Sequence, residues 1–139
     1  MIGLVVVGHG DIPESLLKAA DSVLAGVTQM RAVSFHENDD PNLLAPKIEQ
    51  AREEVDTGEG VIIMTDMMGG TPTNTALAML NRPDIEVVTG VNLPMLLKIP
   101  FIKGMMVNEA ANFLVKYGRR NLAQPSDMLE SLKPHPKNS

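Results

Sequence analysis

Four short apolar runs, each followed by a stretch of helical period, constrain this chain more than any other feature. Residues 2–7 (IGLVVV), 60–65 (GVIIMT) and 85–89 (IEVVT) are nearly continuous in apolar character, and residues 30–35 (MRAVSF) alternate. Runs this short, rich in β-branched residues, read as strands, and continuous ones as strands buried on both faces. Between them, residues 13–24 set Leu16, Leu17, Ala20, Val23 and Leu24 on one helical face. A second helical pattern carries Leu44, Ile48, Ala51 and Val55, and a third spans 72–80. Strands alternating with helices predict an α/β fold: a doubly wound, mainly parallel sheet with helices on both faces, joined by right-handed crossovers. The common order for such a sheet is 2-1-3-4.

Local signals set the expected boundaries. Gly26 closes the first helix. Asp40 caps a helix that Pro41 opens, although Pro46 delays its regular part until about Ala45. Thr71 is the expected N-cap of the third helix, with Pro72 in its first position. Further helices are expected over 94–99 and 108–117. One domain over 1–124 and a polar, flexible tail over 125–139 complete the reading.

Composition excludes several classes of function. The chain of 139 residues has no cysteine, so disulfides, thiolate metal sites and cysteine nucleophiles are out. A net charge of -5 and four aromatic residues (Phe35, Phe101, Phe113 and Tyr117) argue against a nucleic-acid partner. The first apolar run has no basic leader and stops at Gly8-His9, which fits a strand and not a signal peptide. No run reaches the ~20 apolar residues of a membrane span, so a cytoplasmic protein is expected, meeting a membrane only through partners.

Parallel sheets place their chemistry beyond the carboxyl ends of the strands. Here that means loops 8–11, 66–71 and 90–92. His9 stands between Gly8 and Gly10, which leave the imidazole uncrowded, and imidazole is nucleophilic in its neutral form. The next helix opens near Ile12 and turns its amides toward any anion beside His9. Asp66 holds the matching place after the third strand. If those strands are neighbours it reaches His9, fixes one ring nitrogen and leaves the other free. Gly69, Gly70 and Thr71 offer backbone amides and a hydroxyl at a helix N-terminus, a cradle for phosphoryl oxygens to which Gly10 also contributes. No metal and no cofactor is required. His36 and His135 are assigned to solvent, and Met67-Met68 to packing in preference to an exposed docking surface.

Three segments, VVVGHGDIPESLLKAA, VIIMTDMMGGTPTN and GVNLPMLL, resemble the signature regions of mannose-type IIA components of the sugar phosphotransferase system. The likeness runs from residue 1 to about 117. It implies a phosphocarrier: His9 is phosphorylated, Asp66 is hydrogen-bonded to its ring, and Thr71 with nearby amides holds the phosphoryl group. The histidine phosphocarrier HPr is then the donor and a IIB component the acceptor. A homodimer is implied too, with a C-terminal strand exchanged between subunits, for which 119–123 is the candidate. Met67 stands where some members carry threonine, and Gly8 where some carry threonine or serine.

Two alternatives share the His9 chemistry: a regulatory phosphoprotein and the phosphocarrier of a dihydroxyacetone kinase. A receiver-like or nucleotide-binding module is disfavoured. Gly8-His9-Gly10 occupies the place of a receiver's acidic pair, and neither GxxxxGK[ST] nor GxGxxG is present.

Overall fold

The computed structural model describes residues 1–26, 29–132 and 134. Four parallel strands form one sheet: β1 (Gly3–His9), β2 (Met30–Phe35), β3 (Val61–Thr65) and β4 (Ile85–Thr89), in the order β2-β1-β3-β4. Register is continuous across the centre, with Val7 paired to Val33 on one side and Thr65 on the other. The two central strands are buried on both faces, which explains their unbroken apolar sequence. Leu4, Val6, Ile62 and Met64 join one core layer, beneath α1 (Ile12–Leu24), α4 (Leu93–Leu97) and α5 (Val107–Arg120). Val5, Val7, Val61 and Ile63 join the other, beneath α2 (Leu44–Val55) and α3 (Gly70–Leu77). Each such aliphatic side chain contributes about 1.5–3 kcal/mol when fully buried, so these layers dominate stability.

The boundaries show where local chemistry decides. A 3-10 turn (Pro41–Leu43) precedes α2, and Asp40 accepts the Asn42 N–H at 3.0 Å. Pro46 is the third residue of α2, where its missing N–H is one the first turn does not use. Ala25, not Gly26, takes the left-handed C-cap of α1, with φ 50°. The largest difference lies at α3. The chain enters it through Gly69 and Gly70, with φ of 85° and 82°, so Gly69 is the cap and Thr71 falls within the first turn. Two consecutive left-handed residues suit only glycine, and they displace the threonine from the capping position.

Toward the C-terminus, Asn92 caps α4 by accepting the Met95 N–H at 3.1 Å, and Pro100 falls in a second 3-10 turn (Ile99–Ile102). Helix α5 runs on through Arg119 and Arg120. The candidate exchanged strand over 119–123 is therefore the end of a helix and the turn after it, and the sheet has four strands among the described residues. Buried Ala110, Ala111, Leu114 and Gly118 carry the helical period that far, and the arginine pair suits the negative end of the helix dipole. The tail begins as another helix, α6 (Pro125–Leu132), none of whose residues is buried. Among the described residues no helix is long and apolar enough to cross a membrane.

Candidate functional site

β1 and β3 are neighbours, so their carboxyl ends lie side by side. His9 is the last residue of β1, one pleat inside the loop in which it was expected. Asp66 follows the last residue of β3. The two meet: Asp66 Oδ2 lies 2.9 Å from His9 Nδ1 and accepts the His9 backbone N–H at 2.8 Å. An ionised carboxylate only accepts, so the ring must carry its proton on Nδ1. Nε2 is left with its lone pair. The imidazole is 45% exposed and the carboxylate 9%, so the ring faces solvent while the carboxylate is shielded.

Asp66 Oδ1 is buried without a hydrogen-bond partner. Every hydrogen bond the carboxylate accepts from the described residues thus comes from His9. A group added to Nε2 would put a positive charge on the ring directly beside this carboxylate.

Glycines create the room. Gly8 lies in extended backbone, and a methyl there would come within 2.9 Å of Asp66 Cγ and Oδ2. Its role is to admit the carboxylate, a steric requirement that the tight-turn reading of the sequence did not contain. The turn itself falls to Gly10, with φ 56°, whose N–H donates to the Phe35 carbonyl. On the other side of the ring, a methyl on Gly70 would stand 3.6 Å from His9 Cε1 and 3.8 Å from Nε2. The Gly70 backbone therefore runs beside the free nitrogen. Thr71 is half-buried in the same first turn, and its carbonyl accepts the Thr75 hydroxyl at 2.7 Å.

The surroundings are apolar and open. Ile12, Met67 and Met68 are 47%, 53% and 75% exposed, so the methionine pair does not pack as expected. Both belong to the loop that follows the buried β3. His36 is exposed, as expected; His135 lies outside the described residues. A shallow concavity of about 440 Å³, lined by Glu14, Arg31, Lys47 and Glu54 among others, lies beside β2 and includes neither His9 nor Asp66. A reactive nitrogen on an open, partly apolar surface suits a protein partner better than an enclosed small molecule. Among the described residues no group of acidic and histidine side chains could hold a metal ion.

Comparison with known proteins settles the family. The family of mannose-type EIIA domains, described as the PTS system fructose IIA component, matches residues 3–114. The chain belongs to this family. It is 27% identical over 135 residues to the PTS system fructose-specific EIIA component of Bacillus subtilis, covering 96% of this chain and 92% of that one. To the PTS system mannose-specific EIIAB component of Escherichia coli it is 32% identical over 98 residues, which are 70% of this chain and 30% of that longer protein. The phosphotransferase system component EIIA of Streptococcus agalactiae shares the fold, with a TM-score of 0.81 at 20% identity over 91% of this chain and 99% of that one. As a PTS IIA component the protein is a phosphotransfer protein of sugar uptake.

Two residues near the site were given no role of their own in the sequence reading. Thr65 and Thr73 are buried hydroxyl residues joined to each other behind the Asp66 loop. The signal was a threonine closing a fully apolar strand, which reads equally well as a strand end.

Proposed function

We propose that His9 Nε2 accepts a phosphoryl group from phospho-HPr and passes it to a separate IIB component, Asp66 holding the ring throughout. The observation that supports this best is the 2.9 Å contact between His9 Nδ1 and Asp66 Oδ2, which commits one nitrogen and frees the other. In the first step the Nε2 lone pair forms the N–P bond as the donor's N–P bond breaks, its electron pair returning to the donor imidazole. The proton stays on Nδ1, and the imidazolium so formed is stabilised by the carboxylate. The second step runs the same exchange toward the acceptor. The amides at Gly69 and Gly70 and the Thr71 hydroxyl bind the phosphoryl oxygens, positioning and charge stabilisation being what phosphoryl transfer chiefly needs; Gly10, expected to share in this, has already given its N–H to the Phe35 carbonyl and serves the turn instead. Ile12, Met67 and Met68 form an adaptable apolar surface on which donor and acceptor dock in turn. The working form is a cytoplasmic homodimer.

Full-length protein incubated with phospho-HPr should carry one phosphoryl group, on His9, labile to acid and stable to base. Peptide mapping by mass spectrometry reads the site. Equal labelling of His9→Ala would remove the assignment.

A further inference from the structure

Two hydroxyls are buried behind the Asp66 loop. Thr65 ends β3 with 0% exposure, and Thr73 lies in the first turn of α3 with 1%. Their oxygens are 2.8 Å apart, and Thr73 Oγ1 is 2.5 Å from the Met67 carbonyl oxygen. A hydroxyl has one proton and a carbonyl only accepts. Thr73 must therefore donate to Met67, and Thr65 must donate to Thr73. The relay straddles Asp66, starting one residue before it and ending one residue after it. The Thr65 carbonyl in turn accepts the Val91 N–H at 2.9 Å, so the near side of the loop is tied to the segment after β4. Beyond Met67 the loop runs through Gly69 and Gly70, both at positive φ, where the backbone has most freedom. The Thr73 hydroxyl is the side-chain tether on that far side.

We propose that Thr73 is a positioning residue of the phosphotransfer site. Through the Met67 carbonyl it fixes the loop so that the Asp66 carboxylate stays on His9 Nδ1 and the Gly70 backbone stays beside Nε2. Its kinetic consequence rests on the phosphocarrier reading; its structural consequence does not.

The test uses the full-length protein. Nitrogen-resolved NMR at alkaline pH reports which ring nitrogen of His9 carries the proton. Wild type shows the Nδ1–H form, Thr73→Val shows a mixture with the Nε2–H form, and Thr73→Ser, which restores the donor, returns to the wild-type spectrum. In phosphorylation by phospho-HPr, Thr73→Val lowers the saturating rate roughly ten- to a hundredfold, the cost expected of a misplaced catalytic group. KM for the donor changes little, and Thr73→Ser recovers the rate. A Thr73→Val protein with the wild-type tautomer and wild-type saturating rate would overturn the proposal. Should the valine variant fail to fold, Thr73→Ala removes the same donor without placing a methyl against the carbonyl, and carries the same expectations. If wild type accepts no phosphoryl group at all, the phosphocarrier reading falls, and the tautomer comparison still decides the role of Thr73.

Discussion

At the scale of single residues, the site depends on one carboxylate being admitted, aimed and shielded. Asp66→Asn keeps an acceptor for His9 but puts an amide NH2 where Oδ1 is now buried without a partner. Two unsatisfied donors there cost roughly 1–3 kcal/mol, and the imidazolium loses its counter-charge. The expected result is a folded protein with a lower Tm and slower transfer from phospho-HPr. Gly8→Ala tests admission separately. Its backbone is extended and tolerates alanine, so the whole effect comes from the 2.9 Å approach to Asp66. Transfer should slow while secondary structure by circular dichroism is unchanged; an unaltered rate would mean that the carboxylate can shift and still serve. That His9 and Asp66 would meet was legible in the sequence, because both stand at the carboxyl ends of neighbouring parallel strands. Gly8's steric duty was not, because it depends on where a side chain from another strand arrives.

At the scale of elements, α2 carries a charge network remote from the site. Arg52 is 7% exposed and reaches Glu49 at 2.6 Å and Asp56 at 2.9 Å, and Arg82, from the segment before β4, adds a 3.1 Å contact to Glu49. The hydrogen bond from Arg52, followed by that from Arg82, holds the Glu49 carboxyl below its ordinary value of 4.5 although partial burial opposes this. A lowered carboxylate pKa means stability that is present above the ordinary value and lost as pH falls through the folded one. Glu49→Gln should therefore lower the urea midpoint at neutral pH and lose that deficit relative to wild type on acidification. Parallel urea titrations at neutral and acidic pH measure it, and equal deficits at both would exclude the charge as the cause. Helices with strong period were legible, α1 and α2 nearly to the residue. The entry to α3 was not, because Thr71-Pro72 makes a good cap in isolation and only the Gly69–Gly70 geometry overrules it. Likewise α5 outran its expected end: Gly118, which reads as a stop, stays inside the helix because it packs against α4, where a Cβ would come within 2.6 Å of Met95.

At the scale of the molecule, alternation gave the parallel sheet and the common doubly wound arrangement gave the order of its four strands, whereas the C-terminal region was not readable. Its polar, proline-bearing composition suggested a loose tail, yet α6 is helical and leaves Met128, Leu129 and Leu132 at 55%, 63% and 79% exposure, with Leu122 at 77% before it. An apolar stripe left this exposed among the described residues is what an association surface leaves on an isolated subunit. Sedimentation equilibrium should give twice the 15.0 kDa chain mass, and removal of the residues after Gln124 should return the single-chain value. A full-length chain that sediments as one subunit would discard the dimer. Finally, both bonds that Asp66 Oδ2 accepts come from the same residue, one from its ring and one from its main chain. Ring and strand end are thereby braced as one stiff unit, in place before any partner arrives. If such a peg loads and unloads without rearranging, the expected result is a transfer rate that, below saturation, falls as solvent viscosity rises.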